Sequence, residues 1–337
     1  MTDALIVKGL TKVFNKHLVA VDHIDFTIEE GEIFGFLGPN GAGKTTTINM
    51  LITILKPTEG NAVVCGFDIM KHSSEVRNCI GVVPQEYTAD EDLTGLENIL
   101  LCADLYGIPR EISKKRAEEL LELVELTKFQ DKQVQTYSGG MRRRLELACG
   151  LINRPHLFFL DEPTLGLDVQ TRAATWNYIK KLKQEYGMTV FMTTHYLEEA
   201  DMLCDRIAII DHGRIVTMGT PNELKEGLGG DIMTLSIKDD KTDITPIIQK
   251  VPKVKEVKKQ DGIYRIKVFD GEETAPTILD AIRSEGQSVT RLSLTKPTLD
   301  EVYLEYTGKS LREEEESREA AFKQRATMRR ARGGRGF

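Results

Sequence analysis

Residues 38–46, Gly38-Pro39-Asn40-Gly41-Ala42-Gly43-Lys44-Thr45-Thr46, match the spacing G-x-x-x-x-G-K-[ST]. Glycines let the backbone close around a polyphosphate with its N–H groups pointing inward. A lysine just beyond them can reach the β- and γ-phosphates, and the hydroxyl that follows can bind Mg²⁺. The chemistry implied is binding of a nucleoside triphosphate. Two adjacent carboxylates, Asp161 and Glu162, follow the apolar run Leu157-Phe158-Phe159-Leu160. Beside such a loop, Asp161 would hold Mg²⁺ through water, and Glu162 would orient or deprotonate an attacking water. Tyr137-Ser138-Gly139-Gly140-Met141 precedes the helical stretch Arg142 to Leu151. A serine and two glycines at a helix N-terminus present free backbone N–H groups, a second anion site.

The elements that must hold these groups are legible from periodicity. The run Ile33-Phe34-Gly35-Phe36-Leu37 reads as a buried strand before the glycine loop, and Thr46 to Leu55 reads as the helix after it. Leu157 to Leu160 and Thr189 to Thr193 are short, almost wholly apolar strands, each preceded by a helical stretch, the pattern of parallel strands with helical crossovers. Ligands of such sheets sit at the strand ends, where Asp161 and Glu162 fall. Ile80 to Gln85 is a further apolar strand, closed by Pro84. Ala4 to Glu30 alternates as antiparallel strands would, and predicts an antiparallel edge on the parallel core. Leu93 to Lys128 carries apolar residues at helical spacing, so a helical subdomain is expected to be inserted over residues 88–155. Arg206 to Ile210 and Arg214 to Met218, around Asp211-His212-Gly213, read as a hairpin.

At 337 residues the chain is long for one domain, and Gly227-Leu228-Gly229-Gly230 breaks the pattern. The nucleotide-binding part is thus expected over residues 1–226. Beyond it, strands at Ile232 to Ile237, Val254 to Lys258, Tyr264 to Phe269 and Val289 to Leu294 alternate with helices near Ile244 to Lys250 and Thr277 to Ser284. The order β-α-β-β-α-β predicts a small ferredoxin-like α+β domain over residues 231–308, closed by a helix from Thr298 to Tyr306. Residues 309–337 are charged and lack apolar residues to pack, so a disordered tail is expected there.

Net charge is −7, but Lys323 to Phe337 holds six basic residues and no acid, leaving 39 basic against 52 acidic residues elsewhere. An acidic body argues against a nucleic-acid partner, and the basic tail fits a membrane surface better. No apolar run approaches the roughly 18 residues that a membrane span needs, and the N-terminus has no signal-peptide pattern. The expected compartment is the cytoplasm. Cys65, Cys79, Cys102, Cys149 and Cys204 are scattered without a C-x-x-C pair, and are expected as reduced thiols.

Six motifs stand in one order: the loop from Gly38, Gln85 after an apolar strand, Ser138-Gly139-Gly140, Leu160-Asp161-Glu162-Pro163, Gly166-Leu167-Asp168, and His195 after Thr193-Thr194. In that order they resemble the ATP-binding cassette (ABC) ATPases, over Leu5 to about Leu224. The resemblance implies an α/β P-loop NTPase core with ATP and Mg²⁺ as cofactors. It implies Thr45, Gln85 and Asp161 around the metal, and Lys44, Gln85, Glu162 and His195 in catalysis, His195 on the γ-phosphate. It also implies two such domains that sandwich two ATP molecules, the loop of one facing Ser138-Gly139-Gly140 of the other, with Asp168 among the nucleotide contacts. Phe14 lies where the family places an aromatic ring on adenine. The signature departs from the common L-S-G-G-Q in Tyr137 and Met141, so any polar contact of the glutamine is lost.

More narrowly, Tyr137 to Leu145, Leu93-Thr94-Gly95-Leu96-Glu97-Asn98 and Pro297-Thr298-Leu299-Asp300-Glu301-Val302-Tyr303 resemble the ATP-binding subunits of ABC-2-type exporters, the group that includes the daunorubicin-resistance ATPase. That implies a homodimer, or a heterodimer with a related subunit, held at the cytoplasmic face of the membrane by a separate permease. The alternative is a soluble ABC-type ATPase acting on nucleic acid or ribosomes.

Overall fold

Alternating burial along Asp3–Phe14 (β1) and Leu18–Glu29 (β2) shows two strands with one face on a core, and they pair antiparallel. The computed structural model describes residues 3–15, 17–228, 230–238, 243–260 and 262–308; the expected tail, residues 309–337, lies outside them. Ile33–Leu37 (β3) follows, buried along its whole length, then Lys44–Leu51 (α1), Glu59–Val64 (β4), Phe67–Asp68 (β5), Ser73–Cys79 (α2) and Ile80–Val83 (β6). The first sheet has the order β2-β1-β4-β5 and its neighbouring strands are antiparallel.

Next come Gly95–Leu105 (α3), Arg110–Leu123 (α4) and Gly139–Leu151 (α5), which share a core of Ile99, Ala103, Ala117, Leu121, Leu145 and Ala148. This is the helical insert read from the 3.6-residue period. The chain returns through Leu157–Asp161 (β7), Val169–Tyr186 (α6), Thr189–Thr194 (β8), Leu197–Leu203 (α7), Arg206–Asp211 (β9) and Arg214–Gly219 (β10). These complete a second sheet of order β10-β9-β3-β8-β7-β6, parallel from β9 to β6. β3, β7 and β8 are buried at every residue, which is why they read as unbroken apolar runs. Phe26 of β2 stacks on Phe34 of β3 with centroids 5.4 Å apart and lies 6.0 Å from Phe191 of β8, so aromatic rings join the two sheets.

The topology brings four loops to one edge. In the registers Leu37↔Thr194, Asp161↔Thr193 and Val83↔Leu160, the C-terminal ends of β3, β8, β7 and β6 lie side by side. The residues that follow them are the glycine loop, His195, Glu162 and Gln85.

Chain contacts divide the protein at Met218/Gly219, ahead of the glycine run at Gly227–Gly230. Between them lies Pro221–Gly227 (α8), opened by a capping box of Thr220 and Glu223. Seven residues are too few for a hydrophobic period to reveal, and α8 packs on the last helix of the second unit. That unit runs Asp231–Ile237 (β11), Thr245–Ile248 (α9), Val254–Gln260 (β12), Ile263–Val268 (β13), Gly271–Ser284 (α10), Val289–Thr295 (β14) and Leu299–Thr307 (α11). Its antiparallel sheet has the order β12-β13-β11-β14, the ferredoxin-like arrangement, with Tyr264, Ile266, Ile278 and Ile282 fully buried between sheet and helices.

Candidate nucleotide site

Gly38, Pro39, Asn40, Gly41, Ala42 and Gly43 form the turn from β3 to α1, and Lys44, Thr45 and Thr46 make the first turn of the helix. The turn accepts no larger residues at two points. A Cβ on Gly38 would lie 2.3 Å from the Ile210 carbonyl oxygen. Gly43, at φ 110°, would place one 2.5 Å from that of Ala20. With Gly43 at the N-cap, no side chain caps α1. The first-turn amides therefore point outward along the helix axis, which suits a phosphate. Lys44 is 5% exposed; its Nζ donates to the Gly38 oxygen at 2.6 Å and the Pro39 oxygen at 3.2 Å, and pairs with Glu162 Oε1 at 2.9 Å.

Glu162 leaves β7 with φ 52°, a left-handed conformation unfavourable for a residue with a Cβ. It is fixed there because its N–H donates to Thr193 Oγ1 at 3.0 Å, and that hydroxyl in turn donates to Asp161 Oδ1 at 2.5 Å. One threonine so holds both carboxylates. Glu162 Oε2 shares a short hydrogen bond with His195 Nδ1. Burial pushes the Glu162 carboxyl up, but the His195 bond and the Lys44 charge outweigh it and hold the group below its ordinary value. An ionised carboxylate can only accept, so Nδ1 is the donor and the other ring nitrogen, Nε2, is directed away from this bond. For Asp161 the balance is reversed: burial raises its pKa, and the hydrogen bonds from Thr193 and Thr45 only partly offset it. Asp161, buried, and Thr45, at the exposed end of the helix turn, supply the hard oxygen donors that Mg²⁺ requires. The residues present therefore fit both ATP phosphates and the metal.

The other expected residues are placed as follows. Gln85 is exposed, two residues past β6, beside the strand end that carries Asp161 and Glu162. Ser138 and Gly139 are exposed; Ser138 caps α5 by accepting from Met141 N at 3.3 Å. Gly140 is close-packed, since a Cβ there would meet Thr171 Cγ2 at 2.3 Å. Asp168 caps α6, accepting from the amides of Gln170 and Thr171 and from Thr171 Oγ1. Phe14, at the end of β1, is half-buried, with the Lys12 ammonium 5.3 Å from its ring centre. The structure thus joins Lys44, Glu162 and His195 directly and Asp161 to them through Thr193, and gives Ser138 and Asp168 local capping roles.

The departures in the signature have structural partners. Tyr137 is buried and its hydroxyl donates to the Phe129 oxygen at 2.7 Å, while Met141 packs against the helical core. Sequence reasoning did not single out Thr193 as a site residue. Its signal was a polar side chain one residue from the end of a fully buried strand. Glu199, also missed, is wholly buried on α7; its Oε1 accepts from Thr164 Oγ1 at 2.8 Å and from Trp176 Nε1 at 2.9 Å.

A family model described as "ABC transporter" matches residues 21–165, and one described as "ATP-binding protein DrrA1-3-like, C-terminal domain" matches residues 219–307. The "Daunorubicin/doxorubicin resistance ATP-binding protein DrrA" of Streptomyces peucetius is 40% identical over 309 residues, 91% of this chain and 93% of that protein. The chain belongs to the ABC transporter ATP-binding family. The "Doxorubicin resistance ATP-binding protein DrrA" of Mycobacterium tuberculosis (strain ATCC 25618 / H37Rv) is 38% identical, over 90% of this chain and 93% of that one. A solved "dimeric structure of a post-hydrolysis state of the ATP-binding cassette MJ0796 bound to ADP and Pi" is similar with a TM-score of 0.59 and 29% identity, over 64% of this chain and 98% of that one. This ABC subunit is an ATP-binding ATPase of a transporter. The alternative of a soluble ATPase acting on nucleic acid or ribosomes is set aside, because these resistance ATP-binding proteins match nine-tenths of the chain, C-terminal unit included. Among the described residues no helix is long and apolar enough to cross a membrane.

Proposed function

We propose that this ABC subunit powers export of a drug-like small molecule through a separate integral membrane permease, by ATP-dependent pairing with a second copy or a related subunit at the cytoplasmic face. The observation that carries the reading is the convergence of Lys44, Asp161, Glu162 and His195 on adjoining strand ends. The backbone from Gly38 to Thr46 binds the phosphates, and Lys44 exchanges Glu162 for them. Glu162, released from Lys44, orients or deprotonates the attacking water, and His195 turns Nε2 to the γ-phosphate while Nδ1 stays on Glu162. Thr45, Asp161 and Gln85 would hold Mg²⁺, which would supply positive charge against the phosphates. Ser138, Gly139 and Gly140 meet the nucleotide held by the other subunit, beside Asp168, and Phe14 stacks on adenine. Exposed Leu101, Leu105 and Tyr106, on and just after α3, offer an apolar surface for the permease. The nearness of relatives named for daunorubicin and doxorubicin resistance supports the class of cargo.

Glu162→Gln tests the reading. It keeps the side-chain shape but removes the charge, so hydrolysis should fall by about 10²-fold or more, while nucleotide still binds. The variant should elute as a dimer only with Mg-ATP, and adding Ser138→Arg should disperse it. Wild-type turnover in Glu162→Gln would falsify the assignment, and a monomer that persists with the permease present removes the dimer.

A further inference from the structure

Arg143 and Glu146, one helical turn apart on α5, are 1% and 3% exposed. Buried charges are costly unless they are hydrogen-bonded, and one segment engages both terminal nitrogens of Arg143, though not its Nε, and both carboxylate oxygens of Glu146. Arg143 Nη1 donates to the Pro84 oxygen at 2.8 Å and Nη2 to the Gln85 oxygen at 2.9 Å. Its guanidinium lies 5.1 Å from the ring centre of Tyr87, and the Tyr87 hydroxyl donates to the Gly139 oxygen at 3.3 Å. Glu146 takes the opposite polarity: Oε1 accepts from Thr88 N at 2.6 Å and Ala89 N at 2.8 Å, and Oε2 from Thr88 Oγ1 at 2.8 Å. Carbonyls at the start of Pro84–Ala89 thus face a cation, and amides at its end face an anion. The match is specific in direction and in register.

We infer that Arg143 and Glu146 are positioning residues that fix Gln85 to α5. Packing alone would not require this arrangement, since an apolar pair could fill the same space without the two charges. The inference rests on the assignment of Gln85 to the metal side of the site.

The test is a double-mutant cycle on the full chain, read by kcat and KM for ATP and by Mn²⁺ affinity with a non-hydrolysable ATP analogue, followed by electron paramagnetic resonance. Gln85→Ala and Arg143→Met should each lower kcat about tenfold and weaken Mn²⁺ binding, with KM for ATP changed less than about twofold. The double variant should be no worse than Gln85→Ala alone. Glu146→Gln, which keeps an acceptor oxygen for Thr88 and Ala89, should behave as wild type, whereas Glu146→Ala should resemble Arg143→Met. That second pair decides the matter where Arg143→Met does not fold. Losses that multiply in the double variant, or an unchanged Mn²⁺ affinity in Arg143→Met beside a weakened one in Gln85→Ala, overturn the inference alone. A silent Gln85→Ala overturns the metal assignment and the inference with it.

Discussion

Two helix N-termini in this protein carry glycine at or beside the N-cap, and they are finished to different degrees. At α1, glycine occupies the N-cap, the amides are uncapped, and a buried lysine, carboxylate and imidazole surround the turn. At α5, the serine caps its own helix and stays exposed with Gly139, Arg143 and Glu146 bond to Pro84–Ala89, Arg142 pairs with Glu91 and Arg144 with Glu125. The first gathers its charged groups around the turn; the second is an exposed turn whose neighbouring charges are engaged elsewhere in the same chain. The difference follows from position, since α1 leaves the centre of a buried parallel sheet while α5 belongs to the helical insert. Under the proposed pairing of subunits, the α1 half of one chain would meet the α5 half of another.

The largest effect should come from α1. Lys44→Ala removes the cation that faces the phosphates and leaves Glu162 with His195 alone, so hydrolysis should fall by about a thousandfold, measured as phosphate release at saturating ATP. Turnover within tenfold of wild type would break the contrast between the two termini. Thr193→Val is next. It withdraws the hydroxyl that holds Asp161 and the Glu162 amide, and should cost about 1–3 kcal/mol in denaturant unfolding, with a lower kcat at unchanged nucleotide affinity. An unaltered kcat would show that the ion pairs and the backbone bond from the Glu162 amide to the Thr193 oxygen hold Glu162 without the hydroxyl.

Titration sharpens the contrast between two buried glutamates near the first terminus. Glu162 is held below its ordinary pKa, so its stabilisation is present at neutral pH and is lost as pH falls through the folded value. Burial raises Glu199, so its contribution is present below the unfolded pKa and is lost as pH rises through the folded one. Glu162→Gln should therefore lower Tm at pH 7 and matter less in acid. Glu199→Gln, which keeps an acceptor for Thr164 and Trp176, should raise Tm at pH 7 and converge on wild type in acid. Parallel Tm curves for the two variants would refute the opposite signs. The smallest effect belongs to α5: Ser138→Ala removes only a helix cap in the isolated subunit, about 1 kcal/mol, seen by chemical unfolding. A cost several times larger would mean that the serine already serves a completed site.

Much of the α1 half was legible in sequence because its requirements are local. Gly38, Gly43, Lys44 and Thr45 must be these types at these spacings, and the buried strands around them repeat one apolar period. The ferredoxin-like order of the second unit was legible for the same reason. Its strands alternate, its helices do not, and the chain order leaves few ways to close the sheet. The short α8 was not, because a capping box and seven residues carry little periodic signal.

The sequence by itself determined which groups could bind phosphate and that they follow strands of a parallel sheet, since side-chain type and hydrophobic period are properties of neighbours along the chain. Only the tertiary structure decided which groups touch. Thr193 serves both Asp161 and Glu162 because β8 lies beside β7 in that register, and His195 reaches Glu162 for the same reason. Arg143 and Glu146 stand in a stretch of charged residues, and the packing of α5 against β6 buries them on Pro84–Ala89. Contacts across thirty or sixty residues depend on strand order and helix rotation, and these are set by how the whole core closes, which no local spacing encodes.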